Sequence, residues 1–353
     1  MQPNEMKVAM IHQAVKKGIS DIKEDPGRGI RNLVELGEMF AGGRFQKDFF
    51  TTVMTQLKDE NSAYYKLVEQ VANVVDAGIL TTIGVNIGYN SLSHGATMIR
   101  ETEKQEGYNV PWCLTVDTGR ETFLPSETME RLVTEGKELG IYTYLVFIEE
   151  GYPHFEALFD VFGRQEECAF MPFIHPHKVD EALCKHILRA QNIVPFIDLD
   201  CKDPEVKKQA AQNLLTQGCL CGGFNRQKSL QEEQVGPRLL EETASLGLPI
   251  FLSIGDKCHL AKKVNGVYGR FVHLREHLTL PVLPIDLYSD IAHVDKVISS
   301  EACLASIKGN GSFHFTNVDR CEQTSGFNIH SISLREALMR VMGKKKADEV
   351  APA

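Results

Sequence analysis

Two histidines stand two residues apart in the run Phe173-Ile-His175-Pro-His177. In an extended segment residues i and i+2 share a face, so both imidazoles could hold one divalent cation, with a third ligand drawn from Cys201 or Asp198. The adjacent carboxylates Glu149 and Glu150 could supply acid–base chemistry, although neighbours on a strand point to opposite sides and only one can face a given site. Asp117 and Arg120, Asp198 and Asp200, Asn225 and Arg226, and Asp256 with Lys257 follow apolar runs in the same way. Such a ring could line a small-molecule pocket; the plainer reading is that strand ends expose polar side chains whatever the protein does.

The nine cysteines are Cys113, Cys168, Cys184, Cys201, Cys219, Cys221, Cys258, Cys303 and Cys321. They contain no CxxC or CxxxCxxC, and Cys219-Leu-Cys221 is the single close pair. Most isolated cysteines are small buried hydrophobes. Met1 to Lys17 has no apolar signal core, and no run approaches the roughly 18 apolar residues of a membrane span, so a cytoplasmic chain with reduced thiols is expected. A net charge of -9 argues against nucleic acid as a partner. Walker A, GxSxG, HExxH and EF-hand patterns are absent.

These residues need elements to position them. The 353 residues, 43% hydrophobic and 24% charged, suit one large globular domain with additions, or two domains. Val8, Ile11, Val15 and Ile19 fall on one helical face, and similar spacing recurs to Gly78, predicting an N-terminal helical segment over 1–78. Ile79 to Ile87 reads as a strand or an apolar helix, and the stretch to Leu92 as a cover for a barrel mouth. From there short apolar runs alternate with amphipathic helices: strands at 113–117, 141–148, 169–174, 193–199, 219–224, 248–254 and 280–285, with a helix from Ser126 stopped by Gly140. Repeated strand–helix units mean a parallel sheet, and the expected fold is an α/β partial or full (β/α) barrel over 79–290. A small β-hairpin and helix extension follows over 291–343, then a charged tail over 344–353.

Over most of its length the chain resembles the radical S-adenosylmethionine (SAM) superfamily, in the branch with an N-terminal helical segment and a SPASM/twitch-like C-terminal extension, and particular stretches carry the likeness. They are Pro111-Trp112 before the run Cys113 to Asp117, the stretch Gly136 to Tyr142, and Cys303, Ser312 to Thr316, Cys321, Asn328-Ile329 and Ser333-Leu334 near the end. The family's cluster needs CxxxCxxC after the first strand; here Asp117 to Leu124 holds no cysteine, and Phe147 to Pro153 lacks the Gly-Gly pair that would hold SAM. The resemblance therefore implies a degenerate member with no SAM or four-iron cluster at the usual site. It would act as a non-catalytic partner or scaffold, beside an intact radical SAM enzyme or as a homo-oligomer, or as a small-molecule-binding subunit. Two alternatives stand beside it. One is an enzyme repurposed to metal-assisted or acid–base chemistry at Asp117, Arg120, Glu149, Glu150, Asp198 and Arg226. The other is a carrier of zinc or an auxiliary iron–sulfur cluster on Cys303, Cys321, Cys258, His175 and His177.

Overall fold

The computed structural model describes residues 3–40, 55, 57, 59, 62–226, 237–255, 264–299, 303–317 and 322–343. Asp256, Lys257, Cys258 and Cys321 lie outside the described residues, as does the tail beyond 343.

The chain opens with helices α1 (Pro3–Glu24), α2 (Pro26–Phe40), α3 (Ala63–Val74) and α4 (Ala77–Val85), a π-helical stretch (Asn86–Gly95) and α5 (Ala96–Glu106). The helical face seen in the sequence is the buried one: Ile11 packs with Val85 and Tyr89, flanked by Val8 and Val15. Ile79–Ile87 is helix, not strand, because its apolar residues are enclosed on several sides; Ile79, Ile83 and Val85 are all buried. Asp76 starts α4 by accepting from the Gly78 and Ile79 amides at 2.8 and 3.1 Å.

Strands and helices then alternate: β1 (Cys113–Asp117), α6 (Ser126–Leu139), β2 (Thr143–Phe147), α7 (Phe155–Arg164), β3 (Ala169–Ile174), α8 (Glu181–Ala190), β4 (Phe196–Asp198), α9 (Pro204–Thr216), β5 (Gly222–Arg226), α10 (Pro237–Ser245), β6 (Ile250–Ile254), α11 (Val264–Glu276), β7 (Leu283–Asp286), α12 (Leu287–Ile298) and β8 (Cys303–Ile307). The described residues close with β9 (Ser312–Asn317), β10 (Gln323–Asn328) and α13 (Leu334–Val341). Gly140, at φ 92°, stops α6 as expected.

The ten strands among the described residues form one sheet in the order β10-β9-β8-β1-β2-β3-β4-β5-β6-β7. The first eight pair in parallel, with β8 beside β1. That is the strand order of an eight-fold β/α barrel, but the ring is left open: among the described residues β8 pairs with β9 on the side where a closed barrel would pair it with β7. The Cys303–Ile307 run, which the sequence assigned to an appended extension, is the eighth of these strands. The hairpin of β9 and β10 is antiparallel and lies on the far side of β8. The sheet is curled: the Arg226 guanidinium, on β5, sits 5.3 Å from the ring of Phe147, three strands away on β2. In a flat sheet three strand spacings would hold the two backbones roughly 14 Å apart, a gap that only both side chains leaning toward each other could close.

The N-terminal helices close the base of this barrel, at the N-terminal ends of the strands, and not its mouth. Asn86 donates to the carbonyls of Glu166 and Cys168, and Asn90 to that of Glu167, all just before β3. Ser91 and Thr143, the first residue of β2, have hydroxyls 2.7 Å apart. Gln70 reaches the Gly247 carbonyl before β6, and Tyr64 the Arg275 carbonyl at the end of α11. Among the described residues no single helix is long and apolar enough to cross a membrane; α3 with the helical stretch Ala77–Glu106 passes only as a pair bent by 118°.

Candidate functional site

The two faces of the strands identify the inside of the barrel. Phe170 stacks on Phe162 of α7 at 4.3 Å and on Tyr144 at 5.4 Å, and the Tyr144 hydroxyl donates to the Val133 carbonyl of α6. These residues face the helices, so their alternates face inward. Phe147, Phe173 and Phe196 are register partners across β2, β3 and β4, and stack at 4.3 and 5.4 Å. Phe224 meets Phe173 edge-on at 5.2 Å. This aromatic layer floors the mouth.

The polar layer above it follows from the same alternation. Asp117 pairs with Phe147, Asp198 with Phe224, and Arg226 lies two residues beyond Phe224, so all three face inward. Asn225, one residue out of phase, faces the helices. Arg226 lies with its guanidinium over both Phe147 and Phe224, at 5.3 and 5.8 Å, presenting a planar fork of donors at the mouth. Its backbone N–H bonds Asp200 at 2.8 Å, and the Asp200 N–H bonds Asp198 at 2.9 Å. Burial pushes the Asp198 carboxyl above its ordinary value; the Asp200 hydrogen bond and the positive fields of Arg226 and His175 pull the other way, while the Asp200 charge adds to the rise.

Arg120 and Glu149 form an ion pair at 2.8 Å on the rim. Asp117 accepts from the Gly119 amide and lies 3.6 Å from Lys308, which follows β8. The loop after β1 is held tightly: Leu124 bonds back to the Thr118 carbonyl, and a Cβ on Gly309 would lie 2.2 Å from the Thr122 carbonyl oxygen.

His175 and His177 do come together, with rings stacked at 4.5 Å. The third group beside them is neither Cys201 nor Asp198 but Glu150: one ligand atom from each of Glu150, His175 and His177 lies within 4.8 Å of the others. The Glu149-Glu150 pair is thus divided, Glu149 to Arg120 and Glu150 to the histidines. His175 caps the short 3-10 turn Pro176–Lys178, its Nδ1 accepting from the His177 N–H at 3.4 Å; a metal on His175 would replace this long contact, because one ring nitrogen then holds the ion and the other a proton. Two imidazoles and one carboxylate are a donor set suited to zinc and similar divalent cations.

Cys303 is at the other end of the barrel. It begins β8 at the base, fully buried, with its N–H on Asp295 at 3.3 Å, and burial together with the Asp295 charge raises its thiol well above the usual range. It does not converge with His175 and His177. Two features went unread in the sequence. Lys308 belongs to the mouth only because Cys303–Ile307 is a barrel strand. His273-Leu-Arg-Glu276-His277 carries a legible signal, histidines at i and i+4 on one helix face, and its three ligand groups also lie within 4.8 Å of one another.

No family model and no curated protein matches the chain. Among solved structures the chain is similar to human mitochondrial enolase superfamily member 1, at 15% identity and a TM-score of 0.34, over 83% of this chain and 71% of that one. None of these findings is a radical SAM protein. The resemblance drawn from local words is corrected accordingly, and with it the SPASM-like extension and the non-catalytic scaffold derived from it. The words themselves have structural reasons. The Trp112 N–H bonds buried Asp295, and a Cβ on Gly136 would collide with the Tyr144 hydroxyl at 2.2 Å.

Proposed function

We propose that the barrel mouth is an enzyme site in which a divalent metal on Glu150, His175 and His177 assists acid–base chemistry on an anionic small molecule. The observation that supports it is the grouping of those three ligand atoms within 4.8 Å, at the C-terminal ends of β2 and β3 where barrel enzymes carry their chemistry. The metal would polarise an oxygen of the substrate. Arg226, stacked on two rings and therefore held in place, would receive a carboxylate or phosphate. Asp198, whose carboxyl burial biases toward the protonated form, would exchange a proton with the substrate.

Zinc titrated into the tag-free full chain at pH 7.5 tests the metal site. His175→Ala with His177→Ala is expected to remove one zinc equivalent, lowering affinity by about 100-fold or more, since losing an outer-shell partner alone costs about 10–100-fold. The anion site is tested with malonate on the zinc-loaded protein, where Arg226→Ala should weaken binding by about 10-fold or more, a charge-assisted hydrogen bond being worth about 1.5–3 kcal/mol. Unchanged zinc stoichiometry in the double variant, or malonate binding indifferent to Arg226, would overturn the reading.

A further inference from the structure

A second group of metal-ligating side chains lies at the opposite end of the barrel. Helix α11 ends at Glu276, and the chain then enters β7 from the base. His273 and His277, four residues apart, are one turn apart on the same face, with Glu276 beside them. All three are exposed, and one ligand atom from each lies within 4.8 Å of the others. The imidazole rings are 4.2 Å apart between centroids.

An independent feature orients one of these ligands. His277 Nδ1 lies 3.1 Å from the His273 carbonyl oxygen. A carbonyl can only accept, so Nδ1 carries the proton and the neutral ring keeps its lone pair on Nε2. Ligating histidines in metal sites are typically held in this way, with the second ring nitrogen donating to a backbone carbonyl. The charges around the group are also suitable. Arg275 is turned away, to both carboxylate oxygens of Asp290 at 2.9 Å and over the Tyr268 ring. The negative end of the α11 dipole falls on the same turn, where a cation is favoured.

We propose that His273, Glu276 and His277 bind a divalent transition-metal ion of the zinc class, with water completing the shell, as a structural site distinct from the mouth. The Arg275 carbonyl between these ligands accepts the Tyr64 hydroxyl of α3 at 2.9 Å. A metal on this turn fixes the anchor by which the N-terminal helices hold the barrel base.

The test is zinc stoichiometry and thermal unfolding of the tag-free full chain, with His273→Ala/His277→Ala, His175→Ala/His177→Ala and the four-fold variant. The base site predicts one zinc equivalent in the mouth variant and none in the four-fold variant. It also predicts that zinc near 100 times its dissociation constant raises the melting temperature of the mouth variant by about 3–5 °C. His273→Gln/His277→Gln, which keeps polar side chains at exposed positions, should lose the same equivalent with an unchanged far-ultraviolet circular dichroism spectrum. The proposal is overturned if the mouth variant binds no zinc, or if the four-fold variant binds as much as the mouth variant. The two sites fail separately: one equivalent lost only with His273 and His277 would sink the mouth reading and leave this one standing.

Discussion

Asp295→Ala is expected to lower the unfolding free energy by about 2–6 kcal/mol. Asp295, on α12, is fully buried and accepts the Trp112 amide at 3.2 Å and the Cys303 amide at 3.3 Å. Those amides belong to the starts of β1 and β8, so one carboxyl ties together two neighbouring strands at the base. Alanine would leave two buried donors unsatisfied, at about 1–3 kcal/mol each. Asn keeps one acceptor and should cost clearly less. The pH dependence follows from burial, which raises the Asp295 carboxyl well above the usual carboxylate range, with the Glu103 charge adding to the effect. A raised folded pKa means that the folded state binds the proton more tightly. The stability this contributes is complete below the unfolded value near pH 3.9 and is lost as pH rises through the folded value. Asp295→Asn removes that loss, so its deficit against the parent should shrink between pH 5 and pH 8. Urea unfolding of the three proteins at both pH values is the measurement; an alanine variant within 1 kcal/mol of the parent would refute the tie.

Gly222→Ala should cost about 3 kcal/mol, although it adds a single methyl group. An ideal Cβ at Gly222 would stand 2.4 Å from Phe196 Cε1 and 2.8 Å from the Ile250 carbonyl oxygen. The ring has little freedom to yield, being buried and stacked on Phe173, and the carbonyl is backbone of the adjacent strand. Overpacking of a filled core costs about 1–3 kcal/mol, and a backbone obstacle puts this position at the top of that range. Gly163 on α7 is the contrast. Its nearest neighbour would be the Ala190 Cβ at an ordinary 3.5 Å, so Gly163→Ala should gain about 0.5–1 kcal/mol from helix propensity. Opposite signs in two chemical unfolding curves would separate crowding from the general effect of replacing glycine.

The barrel was legible wherever its information is local. β1 to β7 are short apolar runs between amphipathic helices, and each was readable from its own few residues. β8 was not, because Cys303–Ile307 is a strand of the same kind whose partner, β1, lies some 190 residues earlier, and nothing in the run points there. The Ile79–Ile87 segment was ambiguous for a different reason: apolar residues all round a helix carry no period. The polar ring was visible because strand C-termini could be placed. Its internal geometry was not, since Glu150 reaches the histidines through the turn after β2, and only coordinates distinguish that from the Glu149 path to Arg120. The resemblance to radical SAM proteins failed because words such as Gly136 to Tyr142 encode close contacts between a helix and a strand, which report on the shape of a fold more than on its chemistry.

The hairpin on the far side of β8 has a consequence for local stability. Because β9 takes that edge, β7 ends the sheet and, among the described residues, is hydrogen-bonded along β6 alone. A terminal strand of four residues with one ladder is the natural place for sub-global opening to begin. In native-state hydrogen exchange the amides of β7 should therefore open with a lower free energy than those of β1 and β2, which are secured on both sides. The barrel would then loosen from its last seam inward, while the base tied by Asp295 and the N-terminal helices opens only with global unfolding.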